Sequence, residues 1–263
     1  FKPLLAKLRE QQPDLGAASK EVREALKALT AESEAKAAVL GIIFRWLCNV
    51  LEPRVAVDFS SASRGLWALT QALRQQLRTK HEAVAALCLK VGMRSCKELR
   101  EAKEVEWKNT GLSGADLATL GTLGSVLPAL EQLRLFDYSV CAAGPDGVQR
   151  LAVGLGAGAL PAVTLLVLAL DTLVSDAGAL ALAAALGRGA LPRLESLVLG
   201  YTNIGDAGLV ALAPALRRLP ALDHLALWGN PFGDEGLTAL VAPPPPAGAL
   251  SPRVLTKLRK LYL

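Results

Sequence analysis

Histidine is nearly missing from this 263-residue chain, which has only His81 and His224, and the four cysteines, Cys48, Cys88, Cys96 and Cys141, include no C-x-x-C pair. The donor set of a metal site and the framework of a disulfide-stapled domain are therefore both lacking. The thiols read as buried or partly buried groups of a reducing, cytoplasmic compartment. Charge is sparse as well. Charged residues make up 20% of the chain against 52% hydrophobic ones, the reverse of the balance that leaves a chain disordered. Long apolar runs are missing too, since the longest, residues 38–51, is interrupted by Arg45 and is too short to span a bilayer. A soluble protein of one large or two small domains is expected, without a secretory signal. The chain starts at Phe1 and stops at Leu263 inside a leucine phrase, which reads as a piece of something longer.

The excess of positive charge is small and uneven. Of 29 Lys and Arg against 24 Asp and Glu, residues 1–110 hold 19 and 13, and residues 111–263 hold 10 and 11. Arg74, Arg78, Lys80, Lys90, Arg94, Lys97 and Arg100 form a basic stripe without interleaved aromatics for base stacking, so it reads as ordinary helix solvation and no nucleic-acid partner is expected.

What the second half has instead is a repeated phrase. Leu130-x-x-Leu133-x-Leu135 returns as Val163-x-x-Leu166-x-Leu168, Leu194-x-x-Leu197-x-Leu199, Leu222-x-x-Leu225-x-Leu227 and Leu258-x-x-Leu261-x-Leu263. The middle leucines are spaced by 33, 31, 28 and 36 residues, and the longest step crosses the proline run at 243–246, an inserted loop. Twenty-eight residues before Leu133 lies Val105, in the degenerate copy Ala102-x-x-Val105-x-Trp107. Each unit continues into a helical pattern opened by Asp176-Ala177-Gly178, Asp206-Ala207-Gly208 or Asp234-Glu235-Gly236, and Pro161, Pro192 and Pro220 mark the helix exits. One unit is thus strand, turn, helix, turn. In each strand the phrase leucines turn inward and the residues between them turn out.

The leucine phrase with its D-x-G helix start resembles the leucine-rich repeat, in particular the ribonuclease-inhibitor-like type of about 28 residues, also found in NOD-like receptors and Ran GTPase-activating proteins. The resemblance covers residues 99–263, roughly five and a half repeats truncated at the C-terminus. It implies an α/β solenoid, a right-handed β-α horseshoe with a parallel inner sheet and outer helices. The family's turn asparagine falls on Thr110, Tyr138, Asp171, Thr202 and Asn230, so only Asn230 carries the family residue, and Tyr138 predicts a looser turn in the first full repeat. Residues 1–98 lack the phrase and are expected to form an all-helical N-terminal domain or cap, with helices over 2–10, 19–29, 31–51, 63–77 and 83–102, the last broken near Gly92.

No nucleophile, base and orienter can be assembled, so the chain is not expected to be an enzyme, and no cofactor or metal is expected. Gly154-x-Gly156-x-Gly158 imitates a phosphate loop but follows a helix rather than a strand, which makes it a helix exit. The expected site is a partner-binding concave face built from Glu131, Arg134, Phe136, Leu170, Tyr201, His224 and Trp228. Phe136 and Trp228 share one slot after the last strand leucine, with Ala169 and Gly200 between them, while Leu165, Val167 and Leu170 give an apolar centre. The expected function is non-catalytic binding of a protein partner by a scaffold. The alternatives are a GTPase activator of the Ran GTPase-activating type, to which Asn109 and Asn203 could contribute, or an architectural subunit of a larger assembly.

Overall fold

A computed structural model describes residues 43–44, 47–61, 67–68, 70–123, 127, 129–137, 144–170, 174–241 and 257–263. The helices expected over 2–10, 19–29 and most of 31–51 lie outside these residues, as do Tyr138, Cys141, Asp171 and the 243–246 prolines. The chain divides into two compact units, residues 1–79 and 80–263.

In the first unit, α1 (Arg54–Ser61) contributes Ala56 and Phe59 to a cluster with Ile43, Phe44, Leu47 and Leu77. Helix α2 (Gln71–Lys90) runs unbroken through a stretch where the sequence suggests one helix ending at 77 and another starting at 83. Residues 78–82 are polar, yet none of them breaks a helix, so polarity alone was a poor stop signal. The chain does turn at Gly92, with φ of 78°, and restarts in α3 (Cys96–Glu101), capped by the Ser95 hydroxyl.

The second unit carries a six-stranded parallel sheet whose strands follow chain order: β1 (Glu104–Lys108), β2 (Gln132–Asp137), β3 (Leu165–Leu170), β4 (Ser196–Val198), β5 (His224–Ala226) and β6 (Lys260–Tyr262). Between them lie α4 (Gly114–Thr122), α5 (Gly144–Gly156), α6 (Ser175–Gly187), α7 (Asp206–Leu216) and α8 (Asp234–Val241), each packed on the next. Registers follow the leucine phrase: Val105, Leu133, Leu166, Leu197, Leu225 and Leu261 stand side by side. From Val105 to Leu225 this row is buried, as are Trp107, Leu135, Leu168, Leu199 and Leu227 in the parallel row. Helix leucines such as Leu117, Leu151, Leu182 and Leu212 complete the core, each worth about 2 kcal/mol of transfer free energy. The last phrase differs. Leu261 and Leu263 are 37% and 54% exposed, because β6 is an edge strand paired only with β5.

Two hydrogen-bond devices join neighbouring units. At the family's asparagine slot, Asn230 Oδ1 accepts from Thr202 N at 3.1 Å and Ile204 N at 3.0 Å, and Nδ2 donates to Leu199 O and Leu227 O at 2.6 and 2.7 Å. Thr202 Oγ1 lies within reach of both Leu199 O and Asn230 Oδ1. One side chain thereby serves the turns of two repeats. The second device explains the D-x-G signature. Asp176 Oδ1 accepts from Gly205 N and Gly208 N at the start of α7, and Asp206 Oδ1 from Gly233 N and Gly236 N at the start of α8. Each aspartate therefore caps the following helix rather than its own, at the end where a carboxylate is favoured. A Cβ on Gly208 or Gly236 would collide with that carboxylate, which accounts for the glycine.

Candidate functional site

Alternation along the strands turns one set of side chains away from the leucine core, and the parallel register sorts them into rows. The first row reads Glu104, Gln132, Leu165, Ser196, His224, Lys260, and the second Glu106, Arg134, Val167, Val198, Ala226, Tyr262. A third begins with Lys108, Phe136 and Ala169.

Across β1 and β2 this face is ionic and self-compensated. Arg134, half-buried, places Nη1 3.9 Å from Glu104 Oε2 and 3.8 Å from Glu106 Oε2, and Nη2 donates to Gln132. Lys108 bonds to Glu106, and that hydrogen bond holds the Glu106 carboxyl below its ordinary value, with the charges of Lys108 and Arg134 acting in the same direction against a small desolvation. Lys108 Nζ also stands 5.6 Å from the Phe136 ring centroid.

From β3 to β5 the face becomes apolar. Val167, Ala169, Val198 and Ala226 form a buried floor, a cluster separate from the leucine core, against which Phe136, Leu165 and Trp228 pack partly buried. The Trp228 indole reaches this position because the preceding repeat has Gly200, where any Cβ would meet Nε1. Reciprocally, the Tyr201 ring occupies the space a Cβ on Gly229 would need. Tyr262 flanks Trp228 edge-on at 6.4 Å and lies 5.3 Å from the His224 ring.

Of the seven residues expected at this face, Phe136 and Trp228 meet on the apolar floor, and His224 joins them through Tyr262. Arg134 belongs to the ionic end. Glu131 precedes β2 and is exposed, its carboxylate 4.0 Å from Lys103 Nζ. Tyr201 follows β4 at a φ of 53° and is 54% exposed, its N–H donating to Trp228 O. Leu170 pairs with Asp137 at the end of β3, one residue out of step with Leu165, Val167 and Ala169, and its side chain lies outside the described residues. Sequence reasoning missed the floor residues Ala169, Val198 and Ala226 and the polar neighbour Ser196. All four are offset by whole repeats from positions already singled out, so the register contained the signal.

Nothing else in the described residues competes as a chemical centre. Gly154, in the last turn of α5, packs against the backbone of Gly121 in α4, so the glycine triplet serves helix contact as well as the exit turn at Gly158. Burial, reinforced by the neighbouring Cys96 thiol, pushes the Cys88 thiol up to about 12. Among the described residues no three His, Cys, Asp or Glu side chains converge as a metal site requires, and no helix is long and apolar enough to cross a membrane.

Residues 191–213 and 220–241 each match the family model described as Leucine Rich repeat. The two matches support a leucine-rich repeat protein, and the mixed helix and strand structure with its parallel sheet is compatible with that family's α/β fold. No curated protein matches the chain.

Proposed function

We propose that this chain is a non-catalytic protein-binding scaffold, a ribonuclease-inhibitor-like solenoid that engages a protein partner through its concave inner sheet and works in the cytoplasm. In this reading residues 99–263 form the repeats and residues 1–98 a helical cap. Leucine-rich repeat domains commonly mediate protein interactions, and their curved sheets vary surface residues without disturbing the core. The observation that carries the reading is the apolar floor of Val167, Ala169, Val198 and Ala226 flanked by Phe136 and Trp228. A second apolar cluster outside the core, rimmed by aromatics and charge, has the make-up of an interface centre. Glu131, Arg134, Leu170, Tyr201 and His224 are the proposed rim.

The test is affinity capture with the chain and with a Phe136→Ala, Tyr201→Ala, Trp228→Ala variant. Partners held by the first and lost by the second support the reading, whereas an identical partner set removes it. The GTPase-activating alternative draws nothing specific from the site. Asn109 and Asn203 both sit at turns with φ of 49° and 55°.

A further inference from the structure

Two polar atoms on this face have nothing to bond to. Ser196 Oγ and His224 Nε2 are both shut off from solvent and make no hydrogen bond, not even to each other, although the residues are direct neighbours in the β4–β5 register. Such orphans are rare in folded chains, because each forgoes its bonds to water and receives none in return. Beside them in the same row stands the exposed Lys260 of β6, and the Tyr262 ring closes over the imidazole. A hydroxyl, an imidazole nitrogen and an ammonium therefore lie across three adjacent strands, about 4.8 Å apart. All three can donate a hydrogen bond.

We propose that this row receives the carboxylate of an extended segment of the partner protein, with an apolar side chain two residues away seated over Val198 and Ala226. The proposal rests on the concave-face reading above and specifies the chemistry of its partner. Carboxylate oxygens only accept, so one carboxylate satisfies both orphans while Lys260 supplies opposite charge. Glu195 and Asp223, the nearest acids along β4 and β5, precede Ser196 and His224 and so alternate to the other side of their strands, as does the basic Arg259 before Lys260. At the other end of the sheet, Glu104 and Glu106 already compensate Arg134 and Lys108, which leaves the β4–β6 end as the one that favours an acidic group. Successive rows on one face are about 6.6 Å apart, the spacing of alternate side chains in an extended peptide, so an acidic residue followed two places later by an apolar one matches both.

The 263-residue chain is titrated with acetyl-Glu-Ala-Leu-amide, with its Gln and Lys counterparts and with a single-stranded oligonucleotide, following the Trp228 indole N–H by NMR. The Glu peptide should bind at least about tenfold more tightly than the other two, and Ser196→Ala or His224→Phe should each cut that preference to about twofold or less. Both variants remove the polar atom and keep an apolar group of similar reach, so folding is preserved. Equal binding of the Glu and Gln peptides, binding of the oligonucleotide alone, binding of nothing, or an acidic preference that survives both variants would each overturn the proposal. If Trp228→Ala leaves all peptide binding intact, the concave-face reading falls instead.

Discussion

The repeats around β4 and β5 and those around β1 and β2 have the same strand register but are joined differently. In the later pair, Asn230 ties the turns of two repeats together and Asp176 and Asp206 cap the helices that follow them. In the earlier pair the corresponding turn residue is Thr110, whose hydroxyl is buried without a partner, and the strands are instead dressed with exposed or half-exposed ion pairs. Buried leucines suffice to set the register. Regular polar residues then lock it, which is where the segment matching the family model lies.

The largest test of this contrast is Asn230→Ala, which strands the Thr202 and Ile204 amides and the Leu199 and Leu227 carbonyls together. Denaturant unfolding should show a loss of about 3 kcal/mol, reflecting several orphaned buried groups. Next come paired threonine replacements. Thr202→Val should cost about 1.5 kcal/mol, while Thr110→Val, which removes an unpartnered hydroxyl, should be neutral or slightly stabilising. Equal costs would erase the distinction between the two regions. Asp206→Ala should cost about 1 kcal/mol and speed hydrogen exchange at Gly233 and Gly236, in the repeat after the substitution.

The smallest effect belongs to the earlier region, where Asp116 caps its own helix α4 through a reciprocal box with Ser113 and pairs with Lys90 at 2.7 Å. Burial alone would raise its carboxyl, but hydrogen bonds from Lys90 and Ser113 prevail and hold it below the ordinary 3.8. A depressed folded value means that its contribution is complete above about pH 4 and disappears as pH falls through the folded value. Asp116→Asn should therefore flatten part of the acid limb of a stability-against-pH curve, and an unchanged limb would contradict the assignment.

Much of this was legible in the chain itself, for identifiable reasons. The leucine phrase carries the register because a one-residue slip would turn every leucine to the wrong face, and even the degenerate Val105 copy pairs as its spacing requires. Asn230 was legible because an amide offers both donor and acceptor to a turn. The D-x-G motif announces a helix start, but its action on the next repeat is a property of stacking that no single unit displays. Ser196 was passed over because a polar residue on a strand face looks solvated until its neighbours are in place. The exposure of Leu261 follows from its edge position, which the leucine phrase alone does not distinguish from the inner strands.

The fit of Trp228 onto Gly200 and of Tyr201 onto Gly229 has an evolutionary corollary. Two bulky rings and two bare backbones form a mutual lock across one repeat boundary, so neither partner can drift alone. Descendants that acquire a side chain at position 200 should have surrendered the indole at 228, and a chain carrying both would have to open the joint between the two repeats.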